Sequence, residues 1–415
     1  MRKTAQLSVL IIGATALLPF TDVRGADSSY AQIMRGRYLT MAGDCLGCHT
    51  PEGAKPFSGG RGIETPFGVI YSPNITPDRE TGIGAWTDEQ FYRALHEGIS
   101  ADGSRLYPAF PYPYYTRVTR EDVDAIRAYL DTLEPVSNSP PRNKLPFPLS
   151  ERIVLRPWDW LFFDDGTFKP DPNKTPQWNR GAYLVEGLGH CGACHTPKNL
   201  LGADEDKKHL YGNNLQNWFA PSLGKDLRIG LGSWSEDDII TYLKTGRNAH
   251  SHATGPMAEV VALSTSQMTV DDLSAIATYL KDLPGEAQEA GGNASSAVEG
   301  AVAKAGEAIY VDQCAACHRT SGEGVPHFFP PLKGNANAQQ GDPTSVVRVI
   351  LEGARSVPTD ARPTPLSMPA FNWKLSDEQV AAVATYIRNS WGNTAPAVTA
   401  DQVKDLRGKL QAKAE

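Results

Sequence analysis

The stretch "MAGDCLGCHT", Met41 to Thr50, carries two cysteines separated by two residues, with a histidine directly after the second. A single copy fits a zinc knuckle, a redox dithiol or a haem attachment equally well. Two further copies arbitrate: "GHCGACHT" supplies Cys191, Cys194 and His195, and "DQCAACHR" supplies Cys314, Cys317 and His318, so that with Cys45 and Cys48 all six cysteines are used. A four-cysteine zinc site pairs its knuckles at short range and does not need a histidine after each. A disulfide framework belongs to short, cysteine-dense chains, whereas this one has six cysteines in 415 residues. The repeated CxxCH reads as three covalently attached c-type haems. Each cysteine pair supplies two thioethers, and His49, His195 and His318 are the proximal iron ligands.

Haem of this type is normally attached outside the cytoplasm, and the N-terminus reads as an export signal. Arg2 and Lys3 precede an apolar run from Leu7 to Phe20, and small residues lead to an expected cleavage after Gly25. The run is shorter than the roughly 20 residues a membrane span requires. The formal net charge is −7, and it becomes more negative without residues 1–25, which hold Arg2, Lys3 and Arg24 against Asp22 alone. An acidic chain of this kind excludes nucleic acid as a partner. The expected location is the periplasm, with peripheral attachment to the inner membrane through partner proteins. The tail "TADQVKDLRGKLQAKAE" reads as a short surface helix, capped by Thr399 with Gln402, whose apolar stripe is only Val403, Leu406 and Leu410.

Internal repetition divides the chain into three. Each repeat opens with a segment running into its haem motif: "GRYLTMAGDC" from Gly36, "GAYLVEGLGHC" from Gly181 and "GEAIYVDQC" from Gly306. A second helix is signalled by "GAWTDEQFYRALHEG" and "GSWSEDDIITYLKTG", with Thr87/Gln90 and Ser235/Asp238 spaced as capping pairs, and by "SVVRVILEG" after Asp342 and Pro343. Each repeat closes on a segment of helical periodicity, "EDVDAIRAYLDTL", "DDLSAIATYLKDL" or "DEQVAAVATYIRNS". The expected organisation is a signal peptide (1–25), a first haem domain (26–135), a Pro/aromatic-rich connector (136–175), a second domain (176–284), a flexible linker (285–303), a third domain (304–392) and a tail (393–415). In the connector, Trp158, Trp160, Phe162 and Phe163 are expected to pack against the haem domains.

The thrice-repeated pattern of helix, haem loop, helix, ligand loop and helix resembles the small all-α cytochrome c fold. That resemblance implies that the first and last helices of each unit cross, with Gly36 against Tyr129, Gly181 against Tyr279 and Gly306 against Tyr386. It also implies that the carbonyls of Pro73, Pro221 and Pro330 accept the ring N–H of the proximal histidines. Ordinary loop prolines are the other reading of those three residues.

Sixth ligands are sought among the methionines, of which there are only six. Met368 in "PLSMPAF" stands in the loop where the distal methionine of a cytochrome c belongs. For the second haem, Met257 in "ATGPMAEV" is preferred on its loop position to Met268, which abuts the Thr269 helix cap. The first unit has no methionine after His49, and its equivalent loop, "SRLYPAFPYPYYTRV", places Phe110 where a methionine could stand. His96 is the remaining candidate ligand there. A solvent-facing His96, an open or water-bound iron, and a ligand lent by another part of the chain are the alternatives.

Over its whole mature length the chain resembles the triheme cytochrome c subunits of bacterial membrane-associated dehydrogenases. These are the partners of quinoprotein alcohol dehydrogenase, of flavin-dependent gluconate, fructose or sorbitol dehydrogenases, and of some molybdenum-containing oxidoreductases. "GDCLGCHT", "TPFGVIYSPNITPDRETGIGAW", "LYPAFPYPYYTRV", "WNRGAYLVEGLGHCGACHTPKN" and "MPAF" carry the resemblance. Many relatives have methionine where Phe110 stands. The resemblance implies an electron-transfer subunit that takes electrons from a large catalytic subunit (quinoprotein, flavoprotein or molybdoprotein) and passes them to ubiquinone or another cytochrome or oxidase acceptor. The competing reading is a haem oxidoreductase, peroxidase-like or acting on sulfur compounds, with the first haem as an open catalytic site.

Overall fold

The computed structural model describes residues 28–285 and 300–414. The expected signal peptide and most of the expected 285–303 linker lie outside the described residues. Helices dominate, joined by long loops. The all-α expectation needs one addition, three two-stranded antiparallel hairpins: β1 (Gly62–Thr65) with β2 (Gly68–Tyr71), β3 (Asn213–Leu215) with β4 (Trp218–Ala220), and β5 (Ala354–Arg355) with β6 (Ser367–Met368). The second is closed by Gln216 and Asn217, both at positive φ, the geometry of a two-residue turn that twists with its strands.

Three helix pairs organise the chain. The opening helix Tyr30–Ala42 crosses the closing helix Arg120–Leu130, Pro176–Tyr183 crosses Val270–Asp282, and Gly300–Gln313 crosses Asp377–Asn389. At each crossing a glycine faces a backbone carbonyl. A Cβ on Gly36 would collide with the Ala125 carbonyl, one on Gly181 with that of Ala275, and one on Gly306 with that of Ala382. The same positions would lie 3.0, 2.8 and 2.8 Å from the Cβ atoms of Tyr129, Tyr279 and Tyr386, the pairings that the resemblance implies. Any side chain at these glycines would force the helices apart.

Caps act where the spacing places them. The backbone N–H of Gln90 donates to Thr87 Oγ1 at 3.1 Å and that of Thr87 to Gln90 Oε1 at 2.9 Å. Ser235 and Asp238 exchange the same pair of bonds. Thr119, Thr269 and Ser376 cap the three closing helices.

The first two helix pairs are locked by reciprocal contacts. Tyr38, on the first opening helix, donates to Asp272 Oδ2 of the second closing helix at 2.6 Å, and Tyr183, on the second opening helix, donates to Asp122 Oδ2 of the first closing helix at 2.6 Å. Arg35 pairs with Asp122 and Arg180 with Asp272. The carrying motif, Arg-Gly-x-Tyr, recurs at Arg35–Tyr38 and Arg180–Tyr183. One apolar core runs through both pairs, from Leu39, Val123 and Ile126 to Leu184, Leu273 and Ile276, while Tyr310, Val347, Val380 and Val383 anchor a separate core around the third.

The connector is built on Tyr112, fully buried, whose hydroxyl donates to Asp159 Oδ1 at 2.5 Å and whose ring meets Trp158 and Phe163 edge-on. Trp160 departs from expectation, being 83% exposed. Helix Leu155–Phe162 turns Leu155 and Asp159, one turn apart, inward, and this leaves Trp160 on the outer side. The tail forms helix Ala400–Ala414, and its narrow stripe of Val403, Leu406 and Leu410 is buried against helices Thr344–Glu352 and Asp377–Asn389. Arg407 reaches Asp377 at 2.7 Å. Among the described residues no helix is long and apolar enough to cross a membrane.

The reciprocal lock has a pH signature. Burial pushes the Asp272 carboxyl up, but Arg180 and Tyr38 outweigh it and hold the group below the ordinary carboxylate value. Its stabilisation is therefore complete at neutral pH and is lost as the pH falls from the ordinary carboxylate range through the lowered value. Asp272→Ala is expected to cost about 1–3 kcal/mol at neutral pH and to flatten the acid limb of stability, read by denaturant unfolding at several pH values. An unchanged acid limb would separate Asp272 from that role.

Candidate haem attachment sites

Each CxxCH forms one short helical turn at the end of an opening helix: Cys45–His49, Gly192–His195 and Ala315–His318. The histidine in each is held at two points. A glycine N–H donates to its backbone carbonyl, from Gly59 to His49 at 2.9 Å, from Gly212 to His195 at 2.7 Å and from Gly324 to His318 at 3.0 Å. Its ring Nδ1 meets a proline carbonyl, Pro73 at 2.7 Å, Pro221 at 2.7 Å and Pro330 at 2.9 Å. A carbonyl can only accept, so Nδ1 carries the proton in all three and Nε2 keeps its lone pair for a metal. Burial lowers each ring's pKa, with the proline carbonyl opposing it, which favours the neutral imidazole that ligation needs.

The sequence separation between histidine and proline is 24, 26 and 12 residues, so spacing could not establish this bond. In the first two sites hairpins β1–β2 and β3–β4 return the chain to the proline. In the third a tight bridge between Val325 and Phe329 does so. Sequence reading missed the glycine half of the clamp, because its distance from the histidine differs at every site.

The sulfurs do not resemble a redox dithiol. Burial pushes Cys45 and Cys191 up to about 12 and Cys314 up to about 11. An attacking redox cysteine is instead lowered by its surroundings. Among the described residues no three His, Cys, Asp or Glu side chains converge as ligands of a metal ion. Two sulfurs beside a histidine with a free Nε2 suit a covalently attached porphyrin.

A cavity of about 440 Å³ joins the second and third sites. His195 and Pro221 line one part and His318 and Pro330 another, with Leu243, Val260, Ile276, Val349 and Ile350 among its apolar walls. Met257, Met268 and Met368 all reach it. Met257 sits on the first turn of helix Gly255–Leu263 and not in the expected loop; it is part-buried beside Tyr242, Val261 and Val357. Met268 is packed into the core shared by the first two pairs, only 4% exposed. Met368 lies on β6, paired with Ala354. Apolar walls, thioether sulfurs and histidines with a free nitrogen fit a haem at both ends of this cavity.

The first site is composed differently. Phe110 is part-buried and meets Tyr115 edge-on, with ring centroids 5.4 Å apart. His96 stacks on Tyr92, and its Nε2 lies 3.2 Å from Thr167 Oγ1 in the connector. The structure thus directs His96 to the connector. Arg61 ties this site to the second unit: it donates to the Gly47 carbonyl and forms a two-point ion pair with Glu259, on the helix that carries Met257. Burial, with Glu259 adding to it, pushes the neighbouring Asp44 carboxyl up to about 8. Tyr114 packs against the second site, because a Cβ on Gly192 would lie 2.7 Å from its hydroxyl. Neither Arg61 nor Tyr114 stood out in the sequence, because each has a partner across a unit boundary.

Comparison with known proteins identifies the family. The cytochrome c family model matches residues 33–134 and 303–391. The gluconate 2-dehydrogenase cytochrome c subunit of Pantoea cypripedii is 41% identical, over 96% of this chain and 94% of its own length. The cytochrome c subunit of the quinone-type alcohol dehydrogenase of Komagataeibacter europaeus is 43% identical, over 96% and 87%. The fructose dehydrogenase cytochrome subunit of Gluconobacter japonicus is 39% identical, over 98% and 90%. With relatives matched at this level along nearly their whole length, and with histidine clamps at its CxxCH turns, this chain belongs to the cytochrome c family, in the group formed by these dehydrogenase cytochrome subunits.

Proposed function

We propose that this chain is a periplasmic electron-transfer subunit of three tandem cytochrome c domains carrying three haem c groups. On this reading it takes electrons from a large catalytic dehydrogenase subunit and delivers them to ubiquinone or another respiratory acceptor. The observation that carries the proposal is the threefold recurrence of one clamp, proline carbonyl to Nδ1 and glycine N–H to the histidine carbonyl, on all three CxxCH turns. When bound, haem supplies a one-electron Fe(III)/Fe(II) couple whose potential depends on its axial ligands and surroundings. The chain's own part is to hold and orient. Cys45 and Cys48, Cys191 and Cys194, and Cys314 and Cys317 form the thioethers. His49, His195 and His318 present Nε2, and their proline partners fix the rings and raise their basicity. Met257 and Met368 supply thioether ligands at the second and third sites.

The first site is assigned no methionine. Ligation by His96 would require it to leave Thr167 and the Tyr92 ring, so the arrangement supports a first iron without that ligand. The dehydrogenase partner is inferred from relatives named as cytochrome subunits of gluconate, alcohol and fructose dehydrogenases.

The intact mass of the mature protein should exceed that of the chain by three haems, and Cys45→Ala, Cys191→Ala or Cys314→Ala should each remove or weaken one. A mass showing two haems would remove one motif from the assignment. The near-infrared band of ferric His/Met haem should weaken in Met257→Ala and in Met368→Ala. His96→Ala should leave that band and the first haem's potential unchanged, and the first haem alone should bind carbon monoxide readily. A potential shift in His96→Ala would restore it as a ligand. The purified chain should not oxidise alcohols or sugars until its cognate dehydrogenase is added; turnover by the chain alone would favour a catalytic haem.

A further inference from the structure

The boundary between the second and third units holds a cluster of basic side chains with no acidic partner. Arg247 follows the glycine that ends helix Glu236–Thr245 and is 5% exposed. Its guanidinium crosses to the third unit, where it makes only long contacts, 3.5 Å to the His327 carbonyl and 3.4 Å to that of Thr364. Its Nε is buried with no partner. The backbone of Arg247 bridges to that of His252, whose Nε2 is also buried and without a partner, and whose side chain lines the shared cavity. From the third unit, Arg362 donates to His327 Nδ1 at 3.3 Å.

The charged groups that act most strongly on this cluster are all basic. Arg247 is lowered by burial and then by Arg362, and His252 is pushed down to about 4 by burial, then by Arg247 and Arg362, with His318 and His327 adding to it. Among the described residues neither arginine has a carboxylate within ion-pair distance. Arginine cannot shed its proton to relieve this, and a buried guanidinium without a counter-charge is strongly destabilising. In a chain with a net charge of −7, such a gathering of cations calls for an anion.

We propose that Arg247, His252 and Arg362 form a carboxylate-binding site across the boundary of the second and third units, and that its ligand is a propionate of a haem in the shared cavity. This rests on the haem reading above. The unpartnered Arg247 Nε and His252 Nε2 belong to residues whose backbones bridge, and His252 opens into the cavity lined by His195 in one part and His318 in another. A planar guanidinium suits a carboxylate at two points, which a lysine does not reproduce. The site therefore has two effects. It neutralises a negative charge close to the porphyrin, and it gives the third unit a charge-dependent seat on the second. Because ferric haem carries one more positive charge than ferrous haem, an unscreened propionate favours the ferric state. Removing the arginine should lower the potential.

The test is a redox titration of the complete holoprotein by visible spectroscopy, comparing wild type with Arg247→Gln, Arg247→Lys and Arg362→Gln, and with Arg142→Gln as an exposed charge control. Haem content by intact mass is read first. A chain without three haems counts against the function proposed above, whereas three haems with unshifted potentials count against this site alone. In Arg247→Gln one haem should be harder to reduce, its ferric-to-ferrous equilibrium constant falling about tenfold, ~59 mV for a one-electron couple. The other two should stay within threefold. Arg247→Lys should recover only part of the shift, and Arg142→Gln should cause none. Should Arg247→Gln fail to fold, Arg362→Gln approaches the site from the third unit, and a shift of the same haem supports the proposal. Potentials within threefold of wild type in the folded variants would overturn it. So would wild-type potentials that move with added acetate or citrate, because the site would then take a free carboxylate and not one attached to the porphyrin.

Discussion

Everything in this molecule follows from the approach of two helices at a glycine. Where Gly36 meets the Ala125 carbonyl, Gly181 that of Ala275 and Gly306 that of Ala382, the backbones come closer than any side chain would permit. The crossing places each opening helix, and the CxxCH turn follows within two residues in the first and third pairs and beyond a wider helical turn, Leu184–Leu188, in the second. It also places an aromatic residue one helical turn beyond the contacted carbonyl, as Tyr129, Tyr279 and Tyr386. Once the turn is in place, the loop needs only to bring back a glycine N–H and a proline carbonyl to hold the histidine at backbone and ring.

The three helix pairs are not equivalent in how they join. The first two exchange Tyr38, Asp122, Tyr183 and Asp272 in a reciprocal arrangement and share one core, so they behave as a single packed body. The third has its own core, closed by the tail helix through Val403, Leu406 and Leu410. It meets the second across the shared cavity, the basic cluster and a set of direct polar contacts, among them Asn214 to Asp342, the Phe219 N–H to Ser345 and Arg348 to the Gln216 carbonyl. A dry, closely packed junction favours a permanent alignment. At the basic cluster the junction depends on charge, because a buried guanidinium without a counter-charge is destabilising.

Electrostatics differ between the sites for the same reason. At the first, Arg61 has a full counter-ion in Glu259 and links the attachment turn to the helix bearing Met257. At the second-to-third boundary Arg247 has none. On the proposal made above, a carboxylate of the bound group supplies the charge that Arg247 lacks. Axial ligands and local charge can then tune each site separately.

The chemistry was legible in the sequence because it is local. Cys45, Cys48 and His49 lie within a single helical turn, and so do their counterparts, so no folding information was needed to read them as attachment sites. The capping pairs Thr87/Gln90 and Ser235/Asp238 were equally readable, since helix ends leave signatures a few residues long, whereas the three glycine crossings came from the family resemblance. Trp160 was misjudged because its facing depends on which side of an eight-residue helix finds a partner, and Tyr112 and Asp159 took the other side. Met257 was placed in a loop, although it begins a helix. The histidine-to-proline bonds, the Tyr38–Asp272 and Tyr183–Asp122 exchange and the meeting of Arg247 with Arg362 join residues at unequal and long separations. The sequence by itself carried the CxxCH motifs, the capping pairs and the family resemblance; only the tertiary structure decided which groups face one another, because that depends on distances through space that no local pattern records.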